Sequence, residues 1–238
     1  MGRITVIFNN AGYGEGLKSA WGLSMLVEHK GNTVLFDTGG DAGILLGNMK
    51  KLGVKRKDID KIAISHFHND HIGGLLGLLE CGEIAADVYL PAGVDINTEE
   101  RIMSLSKSVV IAAGRSEVAG GVNLISVKSL FYREVVLAID AQEGLLVITG
   151  CAHPGIYRIL KHVRDAFGKD VYAVFGGFHF EHYPVLFVRI IGSFMKNMGL
   201  KLIGPSHCTG ERSCEVLRRL FRENFVDLGL GKTFEYQC

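Results

Sequence analysis

The chain of 238 residues carries 26 basic and 25 acidic side chains, a formal net charge of +1, with 47% hydrophobic and 21% charged residues. It is long and apolar enough to bury a sizeable core, and its balanced charge gives no nucleic-acid footprint and no polybasic membrane patch. No apolar run approaches the roughly 18–20 residues of a membrane span, and the opening MGRITVIFNN is too short in apolar length for a signal peptide.

Taken in chain order, residues 3–8 are apolar and β-branched and read as a strand. Runs 22–28 and 33–37 form a hairpin across His29-Lys30-Gly31-Asn32. Ile44, Leu45, Met49 and Leu52 recur at helical spacing over 41–52, with Asp41 as N-cap. Residues 61–64 read as a short buried strand, 72–79 as a helix, 88–90 as a strand, 98–105 as a helix and 122–127 as a strand. A second hairpin joins 135–139 to 145–149. Helices are then expected over 156–167, 185–198 and 214–225, and strands over 171–175, 202–203 and 234–236. Hairpin strands followed by alternating helices and strands occur in each half, without a linker or composition break. One domain spanning 1–238 is expected, with sheets inside and helices outside. The 31 glycines point to many tight turns. The five cysteines show no CxxC spacing and no disulfide framework, which fits a reducing cytoplasm.

Four histidines share one context. His66, His153, His179 and His207 each follow an apolar strand and a turn of small residues. Strand ends line one edge of such sheets, where ligands gather, so four imidazoles delivered there point to a shared metal. The densest piece is His66-Phe67-His68-Asn69-Asp70-His71. On extended chain His66 and His68 point the same way and can grip one ion. Asp70 and His71 follow where the chain turns into a helix and can serve a neighbouring ion. A merely histidine-rich polar loop would not explain the strand before it or Gly73-Gly74 after it.

HxHxDH followed by Gly73-Gly74-Leu75, together with Val34-Leu35-Phe36-Asp37-Thr38-Gly39, resembles the metallo-β-lactamase superfamily. The resemblance implies an α+β fold, a four-layer αβ/βα sandwich of two mixed sheets with outer helices. It also implies that Asp37 sits beside the metals and that His207 completes the second site. Trp21-Gly22-Leu23-Ser24, Thr149-Gly150-Cys151-Ala152-His153-Pro154-Gly155-Ile156, Gly176-Gly177-Phe178-His179 and Ser206-His207-Cys208-Thr209-Gly210 are similar to the subfamily of the dihydropterin–ribofuranosylaminobenzene phosphate synthase. Two departures from the superfamily pattern stand out. No Gly-His-Thr segment precedes the second hairpin, and Cys151 stands where a metal-bridging aspartate is usual. His153 is the first replacement ligand, Cys151 the second and His179 the third.

These readings give metal ligands His66, His68, Asp70, His71, His153 and His207, with Cys151 and His179 as alternates, and Asp70 and Asp37 as catalytic carboxylates. One or two zinc ions are expected, with manganese or iron also suited to such donors. The first expected activity is hydrolysis of an ester, phosphoester or related bond of an anionic small molecule by a metal-bound hydroxide. The second is transfer, condensing a dihydropterin diphosphate with ribofuranosylaminobenzene 5'-phosphate. A catalytically inactive metal-binding module is the third. Neither a nucleic-acid nor a membrane partner is expected, and the oligomeric state is not legible.

Overall fold

The structure is a computed structural model that describes residues 1–12 and 14–238. A seven-stranded sheet has the order β13-β1-β2-β3-β4-β5-β6, and a six-stranded sheet the order β12-β11-β10-β9-β8-β7. The first holds β1 (Gly2–Asn9), β2 (Leu23–His29), β3 (Asn32–Phe36), β4 (Lys61–Ala63), β5 (Asp87–Pro91), β6 (Ser108–Ala112) and β13 (Thr233–Tyr236). The second holds β7 (Arg115–Ala119), β8 (Val122–Lys128), β9 (Arg133–Ala141), β10 (Gly144–Thr149), β11 (Val171–Gly177) and β12 (Leu202–Ser206). Each sheet is mixed. Antiparallel hairpins β1-β2-β3 and β8-β9-β10 lead into parallel runs β3-β4-β5-β6 and β10-β11-β12.

Side-chain alternation along the strands builds three apolar layers. Val34 and Phe36 of the first sheet meet Leu137, Ile148 and Phe175 of the second in the central layer. Leu35, Ile62 and Val88 face outward against α1 (Ala42–Lys51), α3 (Leu75–Glu80) and α4 (Ile96–Leu105). Val147 and Val174 face α5 (Ile156–Phe167), α6 (Val185–Asn197) and α7 (Glu211–Phe221). The spacing of Ile156, Ile159, Leu160 and Val163 puts one face of α5 on the sheet. Each fully buried Leu, Ile or Phe contributes about 1.5–3 kcal/mol, so a charge in place of Val147 would break this layer. The result is an α+β sandwich with helices on both outer faces, as the sequence led us to expect.

Three details differ from the sequence reading. The edge strands β6 and β7 are not among the expected elements: β6 carries only the four-residue apolar run Val109-Val110-Ile111-Ala112, half exposed, and β7 mixes charged and small residues. The helix expected over 72–79 is two helices, α2 (Asn69–Ile72) and α3, broken at Gly73-Gly74. A Cβ on Gly74 would lie 2.3 Å from the Thr38 carbonyl oxygen, so the backbone there packs where no side chain fits. The last helix runs from Glu211 to Phe221, and Arg222 after it takes a positive φ of 52°.

Parallel pairing aligns the C-terminal ends of strands along one rim. Thr149 lies beside Gly176, and Gly177 beside Ser206. On the other sheet Phe36 lies beside Ala63. Every histidine singled out by its strand–turn context leaves from this rim. Among the described residues no helix is long and apolar enough to cross a membrane.

Candidate metal centre

Strand β4 runs into Ser65-His66, and the chain then turns into α2. His71 is fully buried, His66 buried, Asp70 half-buried and His68 exposed. From the second sheet, Cys151 and His153 leave β10, His179 leaves β11, and His207 leaves β12. Asp37, Ala152, His179 and His207 all take left-handed φ of 50–59°. Non-glycine residues seldom do so, and such strain collects where surrounding structure enforces a geometry.

The hydrogen bonds fix which ring nitrogen of three histidines carries the proton. Asp37 accepts from the Ser65 backbone N–H at 2.7 Å and from the Ser65 hydroxyl at 2.7 Å. That hydroxyl has spent its proton, so it accepts from His66 Nδ1 at 2.9 Å. His66 Nε2 is therefore an unprotonated lone pair. It faces His68 Nδ1 at 3.1 Å and His153 Nε2 at 3.2 Å. His71 Nδ1 donates to Asp37 at 2.6 Å, which leaves its Nε2 facing Cys151 Sγ at 3.2 Å and His207 Nε2 at 3.2 Å. His207 Nδ1 donates to the Asn10 side-chain oxygen at 3.2 Å, so its Nε2 lone pair meets Asp70 Oδ2 at 3.1 Å.

Lone pairs turned on one another repel unless a cation lies between them. Ligand atoms about 2.0–2.1 Å from a tetrahedral ion are about 3.3 Å apart, close to the separations seen. One donor atom each from Asp70, His71, Cys151 and His207 falls within 4.8 Å of the others, and the same holds for His66, Cys151 and His153. Cys151 is common to both groups. The donor set of imidazole, carboxylate and thiol fits zinc or another divalent metal.

Electrostatics favour the ligating forms of His66, His153 and Asp70, whereas the hydrogen bond with Cys208 and burial push the Cys151 thiol up, and Asp37 outweighs burial to raise His71. Burial and the neighbouring imidazoles depress the basicity of His66 strongly and bring His153 down to about 4, so both stay neutral. Burial works to raise the Asp70 carboxyl, but the His207 and His71 rings beside it overcome that and hold the group well below the usual carboxylate range.

The expected residues take unequal places. His66, His68, Asp70, His71, His153, His207 and Cys151 all converge. His179 stands at the exposed lip, its ring centroid 4.5 Å from that of His153, and it groups with Cys151 and Cys208 rather than with either set above. Asp37 is fully buried with its oxygens engaged by Ser65 and His71, so it orients His71 and does not meet a substrate. Trp21 is half exposed and leans on His207, ring centroids 4.8 Å apart, making a wall of the mouth. Cys208 is buried with its thiol 3.7 Å from the Cys151 carbonyl.

Sequence reasoning missed three supports: Asn10, Ser65 and Glu134. Glu134, near the start of β9, is fully buried. Its Oε1 accepts the N–H groups of Gly150, Cys151 and Ala152 at 3.0, 3.1 and 2.9 Å, and its Oε2 accepts that of His153 at 2.8 Å. Burial pushes its carboxyl up to about 7 against those bonds. Ser65 could have been noted as the residue between strand and first histidine. Nothing in the sequence marks Glu134, which lies inside an apolar hairpin.

A sandwich of two mixed sheets that gathers imidazoles, a carboxylate and a thiol on one rim defines a metal-centre class of αβ/βα proteins. Residues 22–179 match the Metallo-beta-lactamase superfamily, and the chain belongs to that superfamily. It is 30% identical to the 7,8-dihydropterin-6-methyl-4-(beta-D-ribofuranosyl)-aminobenzene-5'-phosphate synthase of Methanocaldococcus jannaschii, over 98% of this chain and 95% of that one. A ribonuclease Z of Aeropyrum pernix is 42% identical over 33% of this chain and 25% of its own length. A solved metal-dependent hydrolase of the beta-lactamase superfamily superposes with a TM-score of 0.84 at 28% identity, covering 100% of both chains.

Proposed function

We propose that the rim cluster is a two-metal centre that hydrolyses an ester, phosphoester or related bond of an anionic small molecule. The observation that carries this reading is the pair of donor groups meeting at Cys151. His66, His68 and His153 would hold one ion, and Asp70, His71 and His207 the other, with the Cys151 sulfur between them. Zinc, or manganese or iron in its stead, supplies Lewis-acid charge there and makes a water acidic enough to ionise near neutral pH.

The chain's own groups do the rest. Asp37 and Ser65 keep the His71 and His66 protons on Nδ1, so both Nε2 lone pairs stay aimed inward. Asn10 does the same for His207. Asp70 places an ionised carboxylate beside His207 at the mouth, where it would balance the charge of a dication. Trp21 and Tyr132, the latter stacked on His153 at 5.0 Å, wall the entrance and limit water. The N-terminus of α5 opens just after the His153 turn, and its free N–H groups favour an anion.

The test is turnover of a generic phosphodiester, bis(p-nitrophenyl) phosphate, by metal-replete protein. Chelation should abolish it and added metal restore it. No hydrolysis of this or of simple esters by protein with both ions bound would refute the reading.

A second reading is transfer, condensing a dihydropterin diphosphate with ribofuranosylaminobenzene 5'-phosphate. Two observations favour it: the full-length likeness to the archaeal synthase, and a cavity of about 260 Å³ beside His153 and His179 lined by Tyr157, Phe178, Phe180, Tyr183 and Phe187. Aromatic walls suit a flat ring. Condensation dependent on the pterin diphosphate, with no phosphodiesterase activity, would select it. Bound metals with neither activity would leave a binding module.

A further inference from the structure

We infer that Glu134 is a positioning residue that holds the turn from Gly150 to His153 in ligating shape before any metal binds; this rests on reading the rim as a metal centre. The turn has to place two donors, Cys151 and His153, on successive sides of one short loop. It lies beyond the end of β10, and Ala152 within it has φ of +58°. Its four consecutive N–H groups all point at one carboxylate, at 2.8–3.1 Å. A concave row of backbone N–H groups is an anion nest, and here the anion is a side chain of the chain itself.

Two of the turn's carbonyls are also engaged. Gly177 N–H donates to Gly150 O at 3.1 Å, and Gly155 N–H to Ala152 O at 2.8 Å. The carboxylate thus supplies the acceptors that the sheet no longer provides, and it does so from β9, the strand antiparallel to β10. Both of its oxygens are occupied by donors. A glutamine has the same length but must turn an NH₂ toward at least one of those N–H groups. It would leave that donor unpaired and loosen the residue whose position sets the His153 ring.

The test compares the wild-type chain and Glu134→Gln in binding cobalt(II), read by chelator competition and by the thiolate-to-cobalt charge-transfer absorption. In E134Q, cobalt at the His66–His68–His153 position should bind about 10–100-fold more weakly, the usual effect of losing an outer support. The thiolate band should fade, and affinity at the Asp70–His71–His207 position, which shares Cys151 but keeps its three other donors, should fall less. A variant with wild-type affinities and spectrum overturns the inference and leaves the metal-centre reading intact. A wild-type chain that takes up no cobalt overturns both. Should E134Q fail to fold, amide exchange in the wild-type chain decides. Equal protection of the amides of residues 150–153 with and without metal supports a preformed cradle. Protection only when metal is bound overturns it.

Discussion

The two sides of the rim reach the same centre by different means. On the β3–β4 side, Asp37 and the run His66–His71 sit on two neighbouring strand exits, and the donors come as one compact word of sequence. On the β10–β12 side each exit contributes one or two donors, far apart in the chain, and their aim depends on left-handed backbone at Ala152, His179 and His207. The first side is organised by side chains that hydrogen-bond to the histidines themselves, Asp37 and Ser65. On the second, Glu134 holds the backbone of the β10 turn that carries Cys151 and His153, and only His207 has a ring partner, Asn10. The comparison teaches that a dense motif needs only its rings oriented, whereas dispersed ligands need the loop that carries them held in place.

The largest effect should come from the motif side. His66→Ala removes the ring that faces both His68 and His153, and kcat/KM on a phosphodiester should fall about a thousandfold or more, roughly 4 kcal/mol of barrier. Steady-state kinetics beside elemental analysis checks it. Retention of full activity would show that the motif side holds no catalytic metal.

Next is the seam between them. A Cβ on Gly150 would lie 2.1 Å from Ser65 Oγ and 3.2 Å from Asp37 Oδ2. Gly150→Ala should therefore cost about 3 kcal/mol, the upper end for overpacking, and should weaken both metals together, as read by thermal unfolding and metal titration. Loss at one position alone would show that the sides respond independently.

Asp37→Asn keeps the shape but can no longer accept from both Ser65 and His71 as an anion. Metal affinity at the His71 position should drop about 10–100-fold, measured by chelator competition, with the His153 position less affected.

The smallest effect lies away from the rim. His29 is buried with Nδ1 3.0 Å from the Tyr236 hydroxyl, and burial lowers its basicity. The unfolded chain binds this proton below about pH 6.5 more readily than the folded one does. Its contribution is thus present above that pH and lost as pH falls below it, with a slope of at most about 1.4 kcal/mol per pH unit. Denaturant melts of His29→Gln should show a flatter acid limb than wild type while the metal count is unchanged.

Much of this was legible in the sequence where periodicity or motif density carries the signal. The hairpins and the α5 helix read correctly, and the run 66–71 could be singled out, because each is local. The edge strands β6 and β7 did not, since β6 is only a short apolar run and β7 mixes charged with small residues. Gly73-Gly74 was read as part of a motif, not as the break between two helices, because close backbone approach to Thr38 is a tertiary fact. Glu134 was invisible for the same reason: a glutamate in an apolar hairpin signals nothing until the turn it cradles is folded above it. His179 shared the context of the other histidines, yet its strand exit leaves it at the lip, where a shared pattern of residues does not guarantee a shared distance.

The most direct test is a crystal structure of the metal-replete chain with anomalous data at the absorption edges of zinc, manganese and iron. The account predicts two peaks on the rim, one among His66, His68 and His153 and one among Asp70, His71 and His207, with the Cys151 sulfur between them. A lone peak, or ions held elsewhere with these imidazoles turned away from one another, would contradict it.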